Sequence, residues 1–450
     1  MLKREGREVF CRDSNVCQSY SGIMCREAIN PPEVCRNKMA GVLKIVEDVS
    51  MIFFMESISA ADTGWILTSS ALVLLMTPGL AFFYGGLVRG QSVLNTMMMS
   101  VIAMGIGALC WVALGYSIAF GDGGAWFGSF EHMGLRGVKG IEDGLAIPAI
   151  LFAMFQMTFA IITPALISGA VVERMRFSAY VLFIMLWSVV CYAPLCHWVW
   201  GGGWIGAWGV LDFAGGTVVH ISAGVSAVVC AIMLGRRSTQ EAEARPHNVP
   251  FVLLGGGLLW FGWFGFNGGS ALAADETAAM AVMTTTLAAA SAMMAWTTLE
   301  WRQRRRPSAV GAMIGAVVGL VTITPAAGYV SPMGAIAMGI LGSAAAFYAI
   351  SLFAKSGIDD SLDVFACHGV GGLVGSVLTG VFALEGGLLY GGGFELLMKQ
   401  TVGALAGGLW AAIVTVGIFV FLRSVMRVRV LEDQEETGLD LPVHGEEAYA

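Results

Sequence analysis

Eleven apolar runs, each long enough to cross a bilayer as a helix, follow one another along the chain. They cover about 64–87, 95–120, 146–170, 178–199, 214–235, 249–267, 275–300, 308–328, 333–353, 362–383 and 399–422. The pattern predicts an all-α polytopic membrane protein. Sixty glycines among 450 residues, with many alanines and serines, suit helices whose backbones approach closely in lipid.

The polar breaks set a direction. One set of loops holds Arg89, Arg174, Arg176, Arg236, Arg237, Arg245, Arg302, Arg304, Arg305, Arg306, Lys355, Arg423, Arg427 and Arg429. The opposite set, past residue 60, holds only Arg136, Lys139 and Lys399. The positive-inside rule then puts the N-terminus outside and the C-terminus in the cytoplasm of a multi-pass plasma-membrane protein. Composition agrees, with 56% hydrophobic and 13% charged residues against about a quarter charged in soluble chains. The net charge of −7 sits in loops and tails, and nothing in it calls for a nucleic-acid partner.

Residues 1–60 stand apart as an N-terminal extension. They hold eight Lys and Arg, lack the apolar core of a signal peptide, and crowd Cys11, Cys17, Cys25 and Cys35 at spacings that match no zinc pattern. The expectation is a start assigned upstream of the true one, near Met39 or later, with a soluble extension as the alternative. Cys110, Cys191, Cys196, Cys230 and Cys367 read as small packing residues.

A weak internal repeat runs through the remainder. FYGG at Phe83–Gly86 returns as FNGG at Phe266–Gly269, and ITPA at Ile162–Ala165 returns at Ile323–Ala326. Asp212 precedes His220, and Asp363 precedes His368. Five spans per unit is odd, so the reading is two inverted five-helix repeats plus a final helix. Such folds place their pathway at the repeat interface near the bilayer midplane.

Three groups of residues carry chemistry. His220 and His368 are titratable side chains inside apolar spans, in matching settings, and read as a pore-lining pair. A histidine simply bonded to its neighbours is the plain alternative for either alone. No metal-ligand set surrounds them, and no cofactor is expected. Asp212, in DFAGGT, reads chiefly as a cap accepting from amides two or three residues on, with an electrostatic pull on a cation second. Phe159, Trp200 and Phe266 lie beside glycine- and serine-rich turns or within a span, where ring faces attract cations. Ser270 adds an oxygen acceptor.

GLAFFYGGLVRGQSVL, AVVERMRFSA, VWGGGW, LDFAGGTVVHISAG, WFGWFGFNGGS, TPAAGY, DVFACHGVGG and the tail HGEEAYA together resemble the Amt/Mep/Rh family of ammonium transporters, nearer its Amt branch. The resemblance covers about residues 61–450, with 61–425 as the transmembrane domain and 426–450 as a cytoplasmic regulatory tail. It implies an ammonium recruitment site at Phe159, Trp200 and Ser270, and a pore gate of Phe159 and Phe266. It further implies twin pore histidines at His220 and His368, with Asp212 as support and Tyr192, Trp263 and Thr324 as secondary positions. Phe155, one turn before Phe159, receives no separate role.

The implied activity is capture of NH₄⁺, removal of a proton and conduction of NH₃ past the histidines, since an apolar tube penalises the bare cation far more than the neutral molecule. Homotrimers, membrane lipid and a PII-type signalling protein are the implied partners. The acidic tail is expected to dock on the basic loops at Arg236–Arg245 and Arg302–Arg306. A sensor or transceptor and a CO₂ channel of the same fold are the alternatives. No nucleophile–base pair stands out, which argues against an enzyme.

Overall fold

The computed structural model describes residues 58–238 and 246–449. The extension with its four cysteines, and Arg245 of the basic set, fall outside that description. In chain order the helices are α1 (Ala60–Leu87), α2 (Gly90–Phe120), α3 (Ala149–Ala170), α4 (Phe177–Ala207), α5 (Gly216–Leu234), α6 (Val249–Ala271) and α7 (Glu276–Arg304). Then follow α8 (Ala309–Ile323), α9 (Pro332–Ser356), α10 (Phe365–Phe382) and α11 (Glu395–Val425). Two short tail helices complete the set, α12 (Glu432–Thr437) and α13 (Asp440–His444).

Ten of these helices are long and apolar enough to span a membrane, so the chain is a multi-pass membrane protein. The eighth predicted span, 308–328, is helical only over the 15 residues of α8. At about 1.5 Å per residue that is roughly 22 Å, short of a hydrocarbon core of about 30 Å. The chain from Thr324 to Tyr329 unwinds into turns around Pro325. No β-strand is present among the described residues.

Helix starts are written locally. Ser59, Asn248, Asp275, Ser308 and Ser331 each accept a backbone amide three residues on, opening α1, α6, α7, α8 and α9. Two starts are different. α5 and α10 open in widened π turns over Gly216–Ile221 and Phe365–Val370, a geometry that recurs at functional positions. His220 lies in the first and His368 in the second. The two helices touch backbone to backbone at Gly224 and Gly369, where a Cβ on Gly224 would fall onto the Gly369 main chain. That approach brings the histidine side chains together.

Candidate functional site

Nδ1 of His220 lies 3.2 Å from Nδ1 of His368. The rings are nearly parallel at 24° with centroids 5.3 Å apart, and both are buried. Trp263 and Phe266 lie against His220 at 5.5 and 5.8 Å. These residues line a small cavity of about 20 Å³, completed mainly by apolar side chains such as Met76, Leu80, Ile162 and Leu166. That is room for about one molecule the size of water. Nε2 of His220 has no protein partner among the described residues.

Beyond Phe266 stands Phe159, its ring centroid 4.4 Å away. Phe159 lines a second, wider hollow of about 270 Å³ with Phe120, Phe152, Gln156, Trp200 and Ser270. Two rings in contact, tilted 48° to one another, thus stand between the two spaces. Trp200 lies 6.0 Å from Phe159, edge to face, and its indole N–H donates to the Asp212 carbonyl at 2.8 Å. The turn before it is tied down by His197, whose ring nitrogens lie 2.9 and 2.7 Å from the Ala119 and Gly124 carbonyls. Ser270 Oγ donates to the Phe266 carbonyl at 2.7 Å, leaving its lone pairs available to accept. Phe155 packs edge-on against Phe159 at 5.0 Å, a support for that ring.

Asp212 is a broader cap than expected. Its oxygens accept from the amides of Gly215, Gly216, Thr217 and Val218 at 2.9, 2.5, 2.8 and 3.2 Å. These lie three to six residues on, rather than two or three, because the widened turn splays four amides toward one carboxylate. Its mate before His368 is Asp360, not Asp363. Asp360 Oδ2 accepts from the Phe365 amide at 2.6 Å, and it precedes His368 by the same eight residues that separate Asp212 from His220. Asp363 instead takes a left-handed backbone, with φ 56°.

The secondary positions divide. Trp263 lines the inner cavity, and its N–H donates to Thr324 Oγ1 at 3.0 Å, so Thr324 anchors Trp263. Tyr192 is fully buried behind the site, its ring 6.2 Å from Trp111 and 6.4 Å from Trp187. Gln156 and Phe152 went unnoticed in the sequence, although Phe152, Gln156 and Phe159 recur at helical spacing on one face of α3.

On the face that carries the tail, Glu173 bridges Arg89 at 2.9 Å and Arg237 at 2.8 Å. Burial pushes its carboxyl up, but the two guanidiniums outweigh it and hold the group below its ordinary value. The tail joins this cluster. Glu435 pairs with Arg429 at 2.9 Å and accepts from the Ser238 amide at 2.6 Å. Arg89 donates to the Glu435 and Glu436 carbonyls. Asp440 accepts from the amides of Leu94 and Asn95. The tail therefore docks on Arg89, on Arg236 and Ser238 of the expected Arg236–Arg245 loop, and on the early turns of α2, with Arg429 of the tail itself bracing Glu435. Arg304 of the expected Arg302–Arg306 surface pairs with Glu300 of its own helix instead, because opposite charge alone carries no direction.

A helical membrane protein with a hydroxyl-bearing aromatic hollow, a pair of packed phenylalanine rings and a buried histidine pair is a narrow class of molecule. The chain belongs to the Ammonium Transporter Family, whose model matches residues 64–449. It is 49% identical over 421 residues to the ammonium transporter of Aquifex aeolicus (strain VF5), covering 91% of this chain and 99% of that one. It is 48% identical to the ammonium transporter of Bacillus subtilis (strain 168) over 399 residues, 86% of this chain and 98% of the other. Among solved structures it is similar to Mep2 of Saccharomyces cerevisiae, with TM-score 0.79, 35% identity, and 84% and 89% of the two chains covered.

Proposed function

We propose that the protein carries ammonium across the plasma membrane, taking up NH₄⁺ at Phe159, Trp200 and Ser270 and passing NH₃ between Phe159 and Phe266 to His220 and His368. The observation that carries this reading is the serial order of the two spaces. A hollow with an indole face and a free hydroxyl acceptor adjoins two closely packed rings, and behind them lies a mainly apolar cavity of about 20 Å³ that holds the two histidines. Ring faces favour a cation by about 0.5–2 kcal/mol, whereas an apolar cavity that small cannot replace its hydration. The proton therefore leaves before passage, and K⁺, which has none to give up, is refused.

In this reading the hollow faces outward, the tail lies in the cytoplasm, and α8 with its following turns counts as an eleventh crossing. The matched π turns, each preceded by a capping aspartate, support two inverted five-helix repeats. Residues 1–60 form the extension, 61–425 the transport domain and 426–450 the regulatory tail. The protein works as a homotrimer in membrane lipid, and the tail face takes a PII-type protein. The test of the recruitment site is Trp200→Leu in proteoliposomes. Half-saturation by ammonium rises about tenfold, since one cation–π contact is lost. An unchanged half-saturation contradicts the site.

A further inference from the structure

Gln400 is a fully buried amide in the first third of α11, the last long helix. Its side chain does not reach either cavity. It closes instead on the main chain of one residue 189 positions earlier. Gln400 Oε1 accepts from the Leu211 amide at 2.6 Å, and Gln400 Nε2 donates to the Leu211 carbonyl at 2.7 Å. Nε2 also reaches the Ser376 carbonyl of α10 at 3.3 Å. The two-point contact reproduces what a neighbouring β-strand would offer an irregular segment, and it fixes the amide orientation, since the Leu211 N–H requires an oxygen opposite it.

The position of that clasp matters. The residue after Leu211 is Asp212, whose carbonyl holds the Trp200 indole and whose carboxylate gathers the four amides of the turn bearing His220. The segment is otherwise irregular between Ala207 and Gly216, and an irregular chain at this depth must have its polar groups satisfied by protein. The same face of α11 then presses close. A Cβ at Gly403 would meet Val210 at 3.0 Å, and one at Gly407 would meet Thr217 at 2.5 Å.

We propose that Gln400 is a positioning residue for ammonium recruitment, holding the Leu211–Asp212 main chain in the register that presents Trp200 to the hollow. This rests on the transport reading above. Trp200 is held to Asp212 by a single hydrogen bond, whereas the His220 turn is held by four. Loss of the clasp therefore loosens recruitment before it disturbs conduction.

The test compares Gln400→Met, which keeps shape and removes both bonds, with Gln400→Glu, whose un-ionised acid can accept from Leu211 N–H and donate to Leu211 O. Ammonium uptake per inserted protein is measured in proteoliposomes at about pH 5.5, where an exposed carboxyl is still largely ionised but a buried one is not. Gln400→Met raises half-saturation about tenfold, roughly the worth of one net hydrogen bond, and changes maximal rate less than about threefold. Gln400→Glu stays within about twofold of the parent. In parallel, amide hydrogen exchange of the 205–218 segment speeds by at least about tenfold in the Met variant.

Unchanged half-saturation in Gln400→Met overturns the proposal. So does an equal loss of rate and affinity that Gln400→Glu fails to rescue, because that marks a general packing role. Parent vesicles that move no ammonium contradict the transport reading instead, and the exchange measurement still reports whether the clasp orders the segment.

Discussion

The Nδ1 atoms of His220 and His368 face each other at 3.2 Å, so one ring carries a hydrogen there and the other presents a lone pair. The two neutral imidazoles are therefore opposite tautomers. Replacing either with alanine leaves the other nitrogen buried without its partner, a penalty of about 1–3 kcal/mol. We expect ammonium flux in His220→Ala and His368→Ala to fall about tenfold, or K⁺ to begin to compete. Wild-type rate and selectivity in both variants would rule out the histidine pair as the conducting element.

Asp212 and Asp360 occupy matching places but respond differently to asparagine. Asp212 uses both oxygens, so Asp212→Asn turns an NH₂ group toward backbone N–H donors. The loss is about 2–3 kcal/mol, and the Tm in detergent drops by about 2–4 °C. Asp360 binds the Phe365 amide through Oδ2, and its buried Oδ1 has no partner among the described residues. An asparagine there keeps the Phe365 bond through its oxygen.

The pH dependence of the second variant has a definite sign. Burial pushes the Asp360 carboxyl from 3.8 up to about 6, against the pull of the Phe365 and Val364 amides. Between those values the folded protein keeps a proton that the unfolded chain has released, so this group's contribution to stability falls as pH rises through that window. Asp360→Asn does not titrate. Its Tm relative to the parent should climb from about pH 4 to about pH 6 and then level. A difference that stays flat across the window would refute the assignment.

Deleting residues 430–450 removes Glu435 from Arg429 and Ser238, and Asp440 from the amides of Leu94 and Asn95. Flux per inserted protein should fall at least about threefold while membrane insertion persists, because the tail lies outside every span. Binding of a PII-type protein should weaken too. Normal flux with undiminished PII binding would reduce the tail to a solvated end.

What could be read from the chain follows from where each signal lies. Trp200, His220 and Phe266 sit in dense glycine- and aromatic-rich runs, and an ionisable group inside an apolar span announces itself. Gln156 shows only in its helical spacing from Phe152 and Phe159, and Gln400 is a single amide in a helix with no local signature, its partner being main chain 189 residues away. Asp363 displaced Asp360 because both fall in the run DDSLD. The shared eight-residue spacing to the histidines was the better guide, since a cap is a matter of geometry and not of proximity. The length of α8 was hidden by the apolar residues that continue past Pro325 after the helix has stopped.

The most direct measurement of the central claim is ¹⁵N-ammonium uptake into proteoliposomes holding the purified protein, with and without a large excess of K⁺. The account predicts saturable uptake well above that of empty vesicles, with half-saturation unmoved by K⁺ because only a cation that can surrender a proton passes the Phe159–Phe266 rings. Uptake no greater than in empty vesicles, or uptake that K⁺ competes away, would contradict it.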